Sequence, residues 1–357
     1  MQPSRLILFF VAATAVISAQ MTASPQVPQV WQIQDSGTTA GLRGIDSVDG
    51  TVAWASGTEG TVLKTTDGGA HWQKCAVPDG DKDGATLDFR GVQAWDAKTA
   101  IVMASGPADK SRLYKTTDGC KTWNLLFANP ANDGFWDAIS VADQQNLMIL
   151  GDAVNGEFSV FNSRDGGKTW DRTHNKGLQS KAKEGAFAAS NTSLLVNWED
   201  GIAAFGTGSP SGARLFYECD PCERNALWTA STLSFFPKGE AAGIFAMELR
   251  DWRHWASVGG DYTKPNESTG TAAWSNDGGK TWTPSTTPPH GYRSTVQWSQ
   301  SEKLWITAGT NGSDISRDDG RTWQPLDNGN WNALSLPFIV GPKGRIARLN
   351  PAAIPKP

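Results

Sequence analysis

The sequence predicts an all-β protein, a seven-bladed β-propeller with four antiparallel strands in each blade. Three observations support this prediction. One motif recurs along the chain, its copies are about one blade apart, and each copy follows three short apolar strands. The composition agrees with a folded chain, because the 357 residues are 39% hydrophobic and include 38 glycines and 17 tryptophans.

The recurring motif has the form S/T-x-D-x-G-x-x-W. Five clear copies carry the pairs Asp67 and Trp72, Asp118 and Trp123, Asp165 and Trp170, Asp277 and Trp282, and Asp318 and Trp323. A degenerate copy of the motif ends at Trp228. The tryptophans of successive copies are between 41 residues (Trp282 to Trp323) and 58 residues (Trp170 to Trp228) apart. This period is typical of propeller blades.

The residue types of the motif fit a tight hairpin. Ser or Thr and Asp offer acceptors to turn amides, Gly permits a positive φ, and Trp covers the hairpin with apolar surface. We therefore interpret the five motif aspartates as structural and not as catalytic. Cys120 occupies a glycine position of the motif, so we expect that turn to be strained or tied by a disulfide.

The N-terminus predicts a signal peptide. Arg5 is the only charge before the apolar run Leu6–Ser18, whose 13 residues are fewer than the about 20 that a membrane-spanning helix needs. The mature protein is expected to be secreted or periplasmic, with no transmembrane segment after cleavage. The predicted organisation is a signal peptide at 1–19, a linker at 20–27, one propeller domain at 28–350 and a tail at 351–357.

The repeats divide the domain into seven blades, with the ring closed by strands from both ends of the chain. Such closure removes exposed sheet edges. The predicted blades are 31–72, 73–123, 124–170, 171–228, 229–282, 283–323, and 324–350 completed by 28–34.

The four cysteines fit an oxidising compartment. Cys219 and Cys222 are expected to form a local structural disulfide, because no thioredoxin-like pattern surrounds them. The pairing of Cys75 and Cys120 stays open.

No metal site or cofactor is predicted. The four histidines are scattered, and the chain has neither a dinucleotide-binding glycine motif after a strand nor a haem-attachment signature. The loop Asp79–Gly84 imitates the start of a calcium loop, but Arg90 stands where the closing Glu should be. The net charge of -4 lacks the excess of basic residues that is typical of nucleic-acid-binding proteins.

Aligned inner strands place Arg43, Arg90 and Arg293 in one register at the top face of the ring. The planar guanidinium fork suits carboxylate, sulfate or phosphate, so these residues are the predicted site for a protein partner or an anionic small molecule or glycan. Neighbouring candidates for catalytic groups are Asp137, Asp152, Glu184, Asp261, Tyr262 and Tyr292. The alternative is that these charges pair across blades and only stiffen the channel mouth.

The blade phrase TVAWASGTEGTVLKTTDGGAHW, Thr51 to Trp72, resembles the repeat of the photosystem II stability/assembly factor family. The resemblance covers residues 28–350. It implies an exported propeller that binds membrane-protein precursors as a scaffold and carries an arginine patch, for which Arg43, Arg90 and Arg293 are the candidates.

The motif also resembles, more distantly, the Asp box or BNR repeat of sialidases. Sialidases need a Phe/Tyr-Arg-Ile-Pro sequence, which LRGI at 42–45 and FRGV at 89–92 only echo. The predicted function is therefore scaffold-like binding through the top face. The alternative is a glycoside hydrolase, sialidase-like, that uses the arginine cluster and the top-face carboxylates.

Overall fold

The computed structural model describes residues 29–219 and 227–356. These residues form seven antiparallel sheets of four strands each, which confirms the predicted seven-bladed propeller. The predicted signal peptide, the linker and Cys222 of the predicted Cys219–Cys222 disulfide lie outside the described residues. No helix in the described ranges is both long and apolar enough to cross a membrane.

The strands follow one another in chain order around the ring. The first half comprises β1 (Trp31–Gln34), β2 (Leu42–Ser47), β3 (Ala53–Gly57), β4 (Val62–Thr65), β5 (Gln73–Lys74), β6 (Phe89–Ala94), β7 (Ala100–Ala104), β8 (Arg112–Thr116), β9 (Asn124–Ala128), β10 (Trp136–Val141), β11 (Leu147–Val154), β12 (Glu157–Ser163), β13 (Asp171–Thr173) and β14 (Leu194–Asn197). The second half comprises β15 (Ile202–Gly206), β16 (Ala213–Cys219), β17 (Thr229–Leu233), β18 (Ala242–Leu249), β19 (Trp255–Asp261), β20 (Ala272–Ser275), β21 (Thr283–Pro284), β22 (Thr295–Ser299), β23 (Leu304–Gly309), β24 (Gly312–Ser316), β25 (Gln324–Asp327), β26 (Ala333–Ser335), β27 (Phe338–Val340) and β28 (Ile346–Leu349). Short 3-10 helices occupy Gly84–Thr86, Ala108–Lys110, Lys176–Leu178 and Pro351–Ala353.

Strands from both ends of the chain close the ring, as predicted. β1 pairs with β28, with Trp31 opposite Leu349, and completes the sheet of β26, β27 and β28. The predicted blade limits at the motif tryptophans are wrong, because each motif hairpin returns the next strand onto the same sheet. β5, which follows Trp72, therefore belongs with β2, β3 and β4.

The five clear motif copies form one repeated hairpin between third and fourth strands. In each copy the first hydroxyl donates to the Asp Oδ1 at 2.8 to 2.9 Å and accepts the N–H four residues on. The Asp Oδ1 accepts a further N–H at 2.9 to 3.1 Å. Hydrogen bonds from Thr122 lower the pKa of Asp118 to about 2. The motif aspartates thus serve the hairpins, at the opposite end of the ring from the starts of the inner strands.

A disulfide joins the first two blades. Cys75 directly follows β5 and is bonded to Cys120, with 5.3 Å between the Cα atoms. Cys120 has a φ of 67°, the left-handed conformation that the glycine of the motif would adopt without strain. The turn expected to be strained or disulfide-tied is therefore held by a disulfide.

Blade four departs from the regular pattern. Its inner strand is β14, whereas the stretch EGAF at 184–187, which aligns with the other inner strands in sequence, lies before that strand. Residues 185–193, here called the crossing segment, leave blade four after Gly185, which pairs with Gly208, and return to it at Ser193, whose carbonyl accepts the Gly206 N–H. Apart from Phe187, the residues that open the segment are small (Gly185, Ala186, Ala188, Ala189 and Ser190), which suits a path between closely spaced blades.

Hydrogen bonds fix the crossing segment to several blades. The Asn191 side chain bonds both backbone groups of Ile139, at 2.8 and 3.0 Å. Ser190 Oγ donates to the carbonyl of Ser294 at 2.6 Å, and the Met247 N–H donates to the carbonyl of Thr192 at 3.1 Å. The segment therefore closes the channel and forms the floor of the space above it.

Candidate functional site

A cavity of about 840 Å³ opens at the end of the ring where the inner strands begin. Its wall brings together seven of the nine residues that the sequence placed at the top face: Arg43, Arg90, Asp137, Asp152, Glu184, Tyr262 and Tyr292. Its floor is the first part of the crossing segment, from Gly185 to Ala189. The structure thus brings these seven side chains together around one cavity.

β-Bulges aim several of these side chains at the cavity. The pairing of the inner with the second strand slips by one residue at Arg43, at Arg90 and at Asp137, which are equivalent positions in three consecutive blades. The same slip occurs at Phe245 in blade five and, between the second and third strands of blade three, at Asp152. A bulge leaves its extra residue out of the ladder and redirects the side chain, which explains why the five converge.

The two arginines share one carboxylate. Arg90 Nε donates to Asp88 Oδ2 at 2.9 Å, and its Nη1 donates to the carbonyl of Ala188 at 3.1 Å. Arg43 Nε lies 3.9 Å from Asp88 Oδ1 and, among the described residues, has no hydrogen-bond partner although it is buried. Arg43 therefore has fewer hydrogen bonds to described protein groups than Arg90, and 35% of its side chain is exposed.

No described cation pairs with two carboxyl groups on the third blade, those of Asp137 and Asp152. Asp137 is only 2% exposed, and its Oδ2 lacks a hydrogen-bond partner within the described part of the chain. Burial raises the pKa of Asp137 well above its usual range, Asp152 adds to this, and Arg90 opposes it. Asp152 Oδ1 accepts the N–H of Ala186 at 3.0 Å, and burial raises the pKa of Asp152 to about 6.

Glu184 is paired and not free for a ligand. It accepts Arg214 Nε at 2.8 Å and the Thr207 hydroxyl at 2.7 Å, and its side chain is fully buried. Burial disfavours its charge, but the hydrogen bonds from Arg214, from the Lys181 N–H and from Thr207 outweigh this and lower the pKa of Glu184. The Glu184–Arg214 pair is thus an ion pair within blade four and does not link neighbouring blades.

One side of the cavity is aromatic. The ring of Phe245 stacks on that of Phe187 with 3.7 Å between centroids and meets the edge of Tyr292 at 4.8 Å. Tyr262 stands at the rim, with 52% of its surface exposed. Tyr292 is buried, and burial raises its pKa, so its phenol is not ionised near neutral pH. The inner-strand alignment missed Phe245 because it placed Gly243, two residues earlier, at the equivalent position.

Arg293 does not join Arg43 and Arg90 in the cavity wall, contrary to the expectation from the sequence. It is fully buried, and its Nε donates to Asp314 Oδ2 at 2.6 Å while Nη2 lies 2.9 Å from His290 Nδ1. Its strand neighbour Thr295 begins β22, which pairs with β23 without a bulge, so nothing turns this side chain toward the cavity. Asp261 is also not in the wall, since its carboxylate caps the turn at Thr263.

The carboxylates of the calcium-like loop at 79–84 are hydrogen-bonded to protein side chains. Asp83 accepts hydrogen bonds from Arg112 and Lys110, and Tyr114 donates to Asp79 at 2.9 Å. Hydrogen bonds from Arg112 and Lys110 hold the pKa of Asp83 far below its usual range. These carboxylates therefore tie the loop to β8 and its preceding turn.

No known family model matches the chain. The photosystem II assembly lipoprotein Ycf48 of Synechococcus sp. (strain CC9902) is 23% identical over 164 residues, which are 45% of this chain and 44% of that protein. The match thus spans less than half the length of this relative.

Two solved structures share the fold over most of their length. A structure titled YCF48 bound to D1 peptide matches with a TM-score of 0.63 and 18% identity, covering 90% of this chain and 97% of that chain. YCF48 from Cyanidioschyzon merolae matches with a TM-score of 0.64 and 16% identity, covering 90% and 99%. The chain is therefore a seven-bladed propeller with the fold of YCF48 and a low-identity sequence relationship to the photosystem II assembly factor Ycf48.

Proposed function

We propose that this protein is an exported, assembly-factor-like scaffold that binds a peptide segment of a protein partner in the top-face cavity. The observation that carries the proposal is Arg43, which lines the cavity with 35% of its side chain exposed and whose Nε lies 3.9 Å from Asp88, beyond hydrogen-bond distance. The exposed part of its planar guanidinium can therefore accept a carboxylate supplied by a ligand. The aromatic side formed by Phe187, Phe245 and Tyr262 offers apolar contact to the same ligand.

The similar proteins support a peptide as the ligand. A propeller of the same fold is described as bound to a D1 peptide, and the sequence relative is described as an assembly lipoprotein. Export is supported by the apolar N-terminal run and by the Cys75–Cys120 disulfide, which an oxidising compartment would preserve.

Replacing Arg43 with glutamine is expected to weaken peptide binding at least tenfold. A hydrogen bond to a charged group contributes about 1.5–3 kcal/mol, and about 1.4 kcal/mol corresponds to a factor of ten. The measurement is a fluorescence-polarisation titration of labelled peptides chosen from an array of randomised decapeptides. Each peptide is tested with a free C-terminal carboxylate and as the amide, because the two forms show which carboxylate Arg43 recognises.

Arg253→Gln is the matched control. Arg253 lies at the opposite end of the ring, in the turn between β18 and β19, where its guanidinium is 5.3 Å from the ring of Trp252. The control variant should bind as tightly as the wild type. An array on which no peptide binds, or binding that Arg43→Gln leaves unchanged, would contradict the proposal.

A glycoside hydrolase acting on an anionic glycan is the second candidate. One observation favours it: Asp137 and Asp152 share a cavity, and both have raised pKa values, as a general acid requires. The test is turnover of a panel of fluorogenic glycosides, with sialosides and uronides included. Turnover that Asp137→Asn abolishes would establish the hydrolase, and a panel without turnover would reject it for those substrates.

A further inference from the structure

The charged side chains that the β-bulges aim at the cavity are separated by sign. Arg43 and Arg90 project from blades one and two, and Asp137 and Asp152 project from blade three. The arginines have Asp88 between them as a shared counterion. The two blade-three carboxyls have no counterion among the residues that the structure describes.

The other cationic side chains around the cavity are paired with carboxylates other than Asp137 and Asp152. Lys183 Nζ donates to Glu240 Oε1 at 2.7 Å, and Arg214 is bound to Glu184. Arg90 influences Asp137 through its charge, while its hydrogen bonds go to Asp88 and to the crossing segment. Within the described ranges, therefore, no protein cation hydrogen-bonds to Asp137 or Asp152.

Asp137 points to a missing cationic ligand. A carboxyl group that is 98% buried carries a desolvation cost, and this one has an Oδ2 that no described group satisfies. Its bulge turns it out of the ladder and into the cavity wall, beside Asp152. Because burial raises the pKa of both groups, an arriving cation would displace a proton from the pair and restore its charge.

We propose that Asp137 and Asp152 form a subsite for a basic side chain, lysine or arginine, of the bound peptide. This inference rests on the proposed function and deepens it, because the partner segment would carry a basic residue within reach of the carboxylate that Arg43 binds. An ammonium donates up to three hydrogen bonds, and the apolar stem of such a side chain can pack along Phe187 and Phe245. A metal ion is a poorer occupant, since the described residues contain no group of three or more metal-ligating side chains.

The test compares lysine with norleucine in the peptides that bind best. Norleucine keeps the apolar stem of lysine and removes its charge. In the wild type, lysine or arginine should be enriched at one position of the bound peptides, and replacing it with norleucine should weaken binding at least tenfold. In the Asp137→Asn and Asp152→Asn double variant, the same replacement should change the affinity less than twofold. Both asparagines are isosteric with the residues that they replace, and a thermal melt checks that the double variant is folded.

Glu240→Gln is the matched control. Glu240 is also in the cavity wall but is paired with Lys183, so this variant should keep the lysine preference. Peptides that bind through Arg43 with equal affinity for lysine and norleucine would overturn the subsite and leave the proposed function standing. A lysine preference that survives in the double variant would also overturn the subsite. The absence of any peptide binding to the wild type would overturn the proposed function, and the subsite with it.

Discussion

Replacement of Arg293 with alanine is expected to lower the free energy of unfolding by about 3–5 kcal/mol. Arg293 and Asp314 are both fully buried, and the two side chains are 2.5 Å apart at their closest atoms. Removing the arginine leaves the Asp314 carboxylate buried, and among the described residues its one remaining counterion is the partly buried His290, at 2.8 Å. Chemical denaturation of the mature protein measures the loss through the shift of its midpoint at unchanged slope.

The double variant Arg293→Leu and Asp314→Leu provides the control for this prediction. It removes both charges together, so it should be clearly more stable than Arg293→Ala. A loss below about 1 kcal/mol in Arg293→Ala would contradict the structural role of the pair, because values in that range are typical of exposed ion pairs. Folded Arg293→Ala protein should keep its peptide affinity, which separates this residue from Arg43.

Removal of the disulfide has the second large expected effect. Cys75 and Cys120 are 45 residues apart, and closing a loop of this length restricts the unfolded chain by about 4 kcal/mol in the chain-entropy account. The Cys75→Ala and Cys120→Ala double variant should lose about this much stability. Wild-type protein unfolded in the presence of a reductant should show a similar loss.

A glycine at position 120 offers a sharper comparison. Cys120 has a positive φ, so the Cys75→Ala and Cys120→Gly variant should recover part of the loss, up to about 1 kcal/mol relative to the alanine variant. Equal stability of the oxidised wild type and both double variants would show that the disulfide does not stabilise the fold.

The repeats made the fold predictable from the sequence. Each motif copy encodes its own hairpin locally, so the blade period can be read from the sequence, and the strands left over at the two ends of the chain indicate the blade that closes the ring. The same alignment found the equivalence of Arg43, Arg90 and Asp137, because the bulge recurs at one position in consecutive inner strands.

The features that the sequence did not reveal depend on distant partners. Arg293 aligns with Arg43, but its partner Asp314 lies on β24, and no bulge turns the arginine outward. The stretch at 184–187 looks like an inner strand, and Gly185 does pair with its own blade, but the residues that follow it bond to other blades. The pairing of Cys75 with Cys120 likewise depends on how neighbouring blades pack.

The most direct test of the central claim is photocrosslinking of a bound peptide from the two ends of the ring. Tyr262 at the cavity rim and Trp252 at the opposite end are both exposed aromatic residues, at 52% and 61%, so benzoylphenylalanine can replace either one. If peptides bind in the top-face cavity, a labelled peptide from the array should crosslink efficiently from position 262 and not from position 252. Crosslinking from position 252 alone, or equally from both positions, would contradict binding in the top-face cavity.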